Sequence, residues 1–462
     1  MSAFSPLSPP SDEVSLSLKG VLKLLFKLAT RNLTRDRRRT LITGSAISLG
    51  LALFIFSDHI QQGSYQSLIR VGVSTQAGHI VVQPHAYQKD PKQEKRLTDL
   101  KALTESIHTA LKEKQLGAII VPRAHLAGLL QSPVGGARAQ ILAIDPLKEP
   151  QVSEWHKRLS PIPRPLGEPG EPIPSEWLKN EDHYGILLGA KLAERLDVTV
   201  GDKVVFTFNR ALEEGKSEVE SYLFRVRGAL KLGSEEQEAS TAIITLSGYQ
   251  RALKTTDIAQ QITLHLPQLE QLPAALELTR KVAQERSQEK IETLDWREAL
   301  PTLYQFTLKD RQTSLAIFFI MGLMIAIGVL NTIAMSALER QRQLGVMMAL
   351  GLTPMMMGGL LVIEGFVLGL FGSVTGVALG ALFSWPVVLY GLDISSMVGE
   401  GMEVGGVVME TVIHASWHVK GMVDFGLTAI ALSIAATFWP AWRTSRLSAL
   451  QAMRGADASS DS

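Results

Sequence analysis

Glu410, His414 and His418 stand at four-residue intervals, the spacing that would carry three donors to one side of a helix and onto a metal ion. Two histidines and a carboxylate recur by chance, however, and the segment reads more simply as the wet face of a short connection. Asp58 and His59, at the end of an apolar run, read as an exposed polar pair at a membrane surface rather than a proton relay. Gly215-Lys216-Ser217 is a fragment of a phosphate loop, but Arg210 occupies the place of the required upstream glycine, so it reads as a turn. No Ser/His/Asp set and no facing carboxylates stand out, and there is no cysteine to form a disulfide or ligate a metal. The expectation is a chain with no catalytic residue, no metal and no cofactor of its own.

The elements that carry these residues are of two kinds. Of 462 residues 46% are hydrophobic and the net charge is +1, which favours neither a nucleic-acid partner nor an acidic disordered chain. The apolar residues are segregated into long runs that predict four transmembrane helices, over 40–60, 312–338, 355–386 and 422–442. The Ser- and Pro-rich stretch 1–18 reads as a disordered tail without the features of a secretory signal, so the first apolar run is expected to stay in the mature protein. Residues 19–39 read as an interfacial basic helix, with Lys19, Lys23 and Lys27 four apart and Arg31, Arg35 and Arg37 to Arg39 leading into the first span.

Basic residues crowd before span one, in the link 339–354 and in the tail 443–462, whereas the connection 387–421 is acidic. That asymmetry places both termini and the link in the cytoplasm and residues 61–310 outside it. This inserted region holds short β-branched and aromatic runs such as GHIVVQ, DKVVFTF and STAIITL, with KLAERLDV and LPAALELTRKVAQERS as helices, and so predicts an α+β domain. The Pro-rich stretch 161–174 reads as a surface loop or a boundary between two lobes. The expected fold class is therefore a membrane α-helical protein of four spans with a large α+β extracytoplasmic domain between spans one and two.

If the link is helical, Leu344, Met347 and Met348 gather apolar atoms while Glu339, Arg340 and Arg342 stay wet. Such a helix suits a partner protein, and equally a plain hairpin between spans. Span three carries Gly365, Gly369, Gly372, Gly376 and Gly380, ridges that would let backbones approach closely in lipid, against span one or a partner chain. Glu364 in the same span is expected to face a partner or water, because an ionised carboxylate there costs roughly 2.5–3.5 kcal/mol on insertion scales, and a local hydrogen-bonded role near the cytoplasmic boundary fits it as well as a mechanistic one.

Glu339-Arg340, Leu344-Gly345, Ala349-Leu350-Gly351, Pro354 and Glu364-Gly365 resemble the signature of the FtsX-like, or MacB-type, ABC transporter permeases. The stretch Trp439 to Arg443 with Leu447 to Leu450 and Arg454 resembles that family's C-terminal pattern, and Arg31-Asn32-Leu33 with Arg38-Arg39-Thr40 its approach to span one. GHIVVQ, GAKLAERLDVTVGDKVVF and FRVRGALKLG resemble its periplasmic core, so the likeness covers most of residues 20–455.

The resemblance implies a multi-pass protein of the bacterial inner membrane, paired with a second permease chain. A separate cytoplasmic ATPase, carrying the ATP and Mg, would dock on Glu339, Arg340, Gln343, Leu344, Gly345, Met347, Met348 and Gly351 and move the outer domains mechanically. Gln343 departs from the family, which usually has Glu there. The unfused permease and LDWREALPTLYQFTLKDR before span two resemble the lipoprotein-releasing branch, implying lipoprotein or lipid cargo and a periplasmic carrier. Two alternatives stand beside it: a MacB-like efflux permease with a membrane-fusion partner, and an FtsX-like regulator of a cell-wall hydrolase.

Overall fold

Four helices have the length and apolarity to cross a bilayer, Arg37–Ala77, Pro301–Glu339, Pro354–Tyr390 and Val419–Thr444, hereafter spans one to four. The computed structural model describes residues 18–35, 37–163, 171–211, 217–286, 290–398 and 401–446. Nearly all of the tail expected over 1–18, residues 164–170 of the Pro-rich stretch, Gly215-Lys216 and the motif from Leu447 to Arg454 lie outside the described residues.

The described chain divides into two compact units, a helical one of residues up to 64, 311–392 and 414 onward, and a strand-bearing one of 65–310 and 393–413. Spans one and two are longer than their apolar runs. The α-helix of span one runs from Arg37 to Gly72 because QQGSYQSLIRV holds no proline and a single glycine, Gly63, which costs a helix only about 1 kcal/mol. Its 36 residues would measure about 54 Å against roughly 30 Å of hydrocarbon. Ahead of it, Leu18–Arg35 is a separate amphipathic helix. Leu25 and Ala29 of that helix are buried against Leu360 of span three, while Leu22, Leu24 and Phe26 are exposed. Ile47, Val329, Ile333, Leu361, Leu368 and Ala436 form the bundle's apolar cluster.

The strand-bearing unit is built on β1 (Ile80–Pro84), β2 (Ile119–Gln131), β3 (Gly136–Ile144), β4 (Leu159–Ser160), β5 (Gly185–Gly189), β6 (Lys203–Ala211), β7 (Ser217–Leu230), β8 (Thr241–Thr245), β9 (Gln261–His265) and β10 (Ile291–Asp295). They join in the order β10-β1-β9-β2-β3-β8-β5-β7-β4, with β6 paired to β2 and β7. Among the described pairs of this sheet, β3/β8 and β5/β7 run parallel and the others antiparallel.

Among the described residues this sheet carries two large apolar cores and a smaller one of Leu142, Trp155, Leu187 and Ile243. Ile80, Val82, Ile262 and Leu264 pack under the helices Leu100–Glu113 and Leu272–Arg286, whereas Phe206, Phe224, Ile244 and Tyr249 centre the other. β2 serves both, with Ile120 in the first core and Leu126 and Leu130 in the second. Leu100, Leu103, Ile107 and Leu111 give the first of these helices its buried stripe. Beside the sheet the fully buried Arg123 pairs with Glu149 at 2.6 Å and donates to the Ser74 carbonyl at 2.7 Å. Both charges are thus neutralised where burial alone would be costly.

The connection expected over 387–421 is more than a solvated link. Its residues 393–413 belong to the strand-bearing unit and hold a hairpin, Glu403–Val404 with Val407–Val408. Gly405 and Gly406 turn it with φ of +61° and +82°, angles open to glycine at little cost. Val404 and Val407 pack with Leu68 and Leu303.

Candidate coupling site in the helical unit

The link between spans two and three folds as the helix Gln341–Ala349. Arg340 precedes it in a non-helical conformation, and Leu350 and Gly351, the latter at φ +104°, end it. Thr353 caps span three by accepting from the Met356 amide at 3.3 Å, and Pro354 opens it. The break at Arg340 and the glycine stop bound a short helix whose first three residues are polar and whose remainder is largely apolar.

Its apolar residues face two ways. Met347 packs inward with Leu25, Ala29 and Leu360, Gly345 is buried and Met348 is half-buried. Val346, Leu350 and Met355 are exposed, at 53%, 78% and 83% of their surface, and Gln343 is exposed with them. Met347 therefore packs toward the bundle, while of the outward apolar residues Val346 was not singled out by sequence and Leu350 only as part of the family motif. The side chains of Arg342 and Leu344 lie outside the described residues.

Beneath this helix the polar residues of three elements converge. Glu364 is only 2% exposed; its Oε1 accepts from Asn32 Nδ2 at 2.7 Å and lies 3.5 Å from the Arg340 guanidinium. Arg340 also donates to the Asn32 carbonyl at 3.4 Å. At the end of span two, Glu339 accepts from Arg39 at 3.0 Å. The amphipathic helix, the start of the link and span three are thus cross-tied around one buried carboxylate. Such a group stays in place because removing any partner leaves it desolvated and unsatisfied. Its visible work is to tie these three elements together.

The glycines of span three meet two neighbours. Gly365 closes on Thr437 and Gly369 on Ser433 of span four, where a built Cβ would come within 2.7 Å of Ser433 Cβ. Gly372, Gly376 and Gly380 close on Ile47, Ser48 and Leu51, and Ile55 of span one. Ser433 Oγ donates to the Gly365 carbonyl at 2.8 Å, a hydrogen bond that the close approach allows.

The other polar clusters are rearranged relative to the sequence reading. Residues 410–418 are not helical, so Glu410, His414 and His418 do not share a face: Glu410 accepts from Ser67 at 2.6 Å and His418 Nδ1 pairs with Asp58 at 2.8 Å. Among the described residues no group of three or more His, Asp or Glu side chains is placed to hold a metal. His59 is fully buried rather than exposed, its Nδ1 2.8 Å from Ser384 Oγ and its ring edge-on to Trp417, because span three and the segment just before span four enclose that turn of span one. Asn32 was legible only as part of a motif, and its bond to a carboxylate 332 residues away needs the fold.

Residues 315–449 match the FtsX-like permease C-terminal family. Among curated proteins, the chain is 25% identical over 276 residues to the lipoprotein-releasing system transmembrane protein LolC of Xylella fastidiosa, covering 59% of this chain and 65% of that protein. LolC of Neisseria meningitidis is 24% identical over 319 residues, 68% of this chain and 72% of that protein. LolE of Haemophilus influenzae is 23% identical over 283 residues, 60% of this chain and 66% of that protein. The first of these matches thus takes in just under two thirds of the relative's length. The periplasmic region of MacB from Actinobacillus actinomycetemcomitans aligns over 49% of this chain and 91% of its own at 12% identity, with a TM-score of 0.32.

Proposed function

We propose that this chain, whose last third is an FtsX-like permease domain, is the membrane subunit of an ABC transporter that releases lipidated protein from the inner membrane. A separate ATPase docks on the helix Gln341–Ala349 in the cytoplasm, a second permease chain completes the complex, and the strand-bearing unit lies outside, where a carrier receives the cargo. The observation that carries this reading is the link helix: it offers exposed Val346 and Leu350 on one side and is moored on the other by Met347 and the Asn32–Glu364–Arg340 tie. A helix held that firmly passes on a displacement rather than absorbing it. The basic flanks of the spans support a cytoplasmic link. The cargo assignment is supported by the names of the LolC and LolE relatives.

Val346→Asp combined with Leu350→Asp tests the docking directly. Co-purification of the ATPase from membranes is expected to fall at least about tenfold, the equivalent of 1.4 kcal/mol, with insertion unchanged. Undiminished co-purification would reject the docking surface.

A further inference from the structure

The strand-bearing unit contains a cleft of about 460 Å³ that nothing in the transport reading uses. That volume falls within the roughly 300–1,000 Å³ of small-ligand pockets. Along one side runs a ladder of side chains across four neighbouring strands. His125 on β2 is 3.3 Å from Gln261 on β9, Gln261 donates to Gln83 on β1 at 2.9 Å, and Gln83 donates to Glu292 on β10 at 2.8 Å. Gln237 and Gln76 border the cleft, and both donate to the Gly406 carbonyl at the hairpin turn, at 3.4 and 2.7 Å. The hairpin thereby flanks the opening. Leu142, Trp155, Leu232 and Ile243 supply an apolar wall.

Two polar groups of this lining are uncommitted. Arg158 is half-buried, and among the described residues its guanidinium has no carboxylate within ion-pair distance. Gln140 is exposed to the cleft with both its amide donors and its carbonyl unused. An unpaired arginine beside apolar surface asks for an anion, and side-chain amides, each donor and acceptor at once, match the alternating N–H and C=O of an extended backbone. One cation among amides is a poor match for phosphate chains, which call for several.

We propose that this cleft binds a short extended peptide carrying one carboxylate, with Arg158 taking the carboxylate, Gln140 and its neighbours taking backbone amides, and the apolar wall taking an adjoining side chain. The site stands on the strand-bearing unit alone and does not require the transport reading.

The test uses the full chain in detergent and fluorescence anisotropy with two labelled probes, acetyl-Ala-Leu-Asp-Ala-amide and its Asn counterpart. The Asp probe is expected to bind saturably and about tenfold more tightly, as one charge-assisted hydrogen bond of about 1.4 kcal/mol gives. Arg158→Gln is expected to erase that preference, Arg158→Lys to keep most of it, and Gln140→Ala to weaken both probes alike. Equal binding of the two probes, or a preference that survives Arg158→Gln, would overturn the proposal. So would displacement of the Asp probe by dihexanoyl phosphatidylglycerol with the same dependence on Arg158, which would assign the cleft to a lipid headgroup.

Discussion

The two units solve the same packing problem with opposite residues. In the strand-bearing unit the core centres are filled by large side chains, Phe206, Phe224 and Tyr249, each no more than 1% exposed, and glycines such as Gly189 and Gly228 serve single close contacts. In the helical unit the contacts between spans rest on a row of glycines and hydroxyls, Gly365 on Thr437, Gly369 on Ser433, Gly380 on Ile55. Water rewards the burial of apolar area, so a soluble core grows stable by adding it. Lipid tails give helices no such reward, and association comes instead from close backbone approach and interhelical hydrogen bonds. Span two shows the converse, with Phe319 at 71% and Met324 at 69% exposed, surface that lipid or a second chain can cover without any core behind it.

Substitutions of opposite sign break or sharpen that contrast. Phe224→Ala should cost the strand-bearing unit about 3–5 kcal/mol in urea unfolding, whereas Phe319→Ala in span two should leave the bundle unchanged. Gly380→Leu should loosen the bundle by up to about 3 kcal/mol in an SDS titration, because even a Cβ there would lie 2.9 Å from Ile55. A tolerated Gly380→Leu would undo the comparison.

Acidification should act on the strand-bearing unit through its buried histidines. Burial pushes His265 down to about 2 and holds His79 below its usual value, and His79 Nδ1 accepts the Leu266 amide at 3.0 Å. The unfolded chain takes up those protons first, so the contribution is complete above about pH 6.5 and is lost as pH falls below it. By pH 5 His265 alone should cost about 2 kcal/mol, read as lost hydrogen-exchange protection of β9. Smallest is Asn32→Ala, which should weaken the mooring of the link by about 1 kcal/mol and lower ATPase stimulation without lowering ATPase co-purification. Equal loss of both would place Asn32 in the docking surface instead.

Runs such as IVVQ, KVVFTF and AIIT announce their strands through β-branched residues, and 20-residue apolar stretches announce the spans. β5 and β10 were not singled out: Gly185–Gly189 is short and bounded by glycine, and Ile291–Asp295 carries two acidic residues at an edge of the sheet. The helix Leu100–Glu113 was overlooked because its polar residues mask a four-residue stripe. The helices run past the apolar stretches for a different reason: hydropathy marks where lipid ends, while a helix continues until a breaker appears, at Gly78 with φ of +66° after span one. Glu364 was recognisable as an expensive residue, but its partners Asn32 and Arg340 come from elements far apart in sequence.

Transport as proposed requires the strand-bearing unit outside the cytoplasm and the link helix inside it. The chain has no cysteine, so single-cysteine variants report without background. Val134→Cys and Leu350→Cys replace residues that are 68% and 78% exposed. In intact spheroplasts a membrane-impermeant maleimide should label the first at once and the second only after permeabilisation. Labelling of both before permeabilisation, or of position 350 alone, would contradict it.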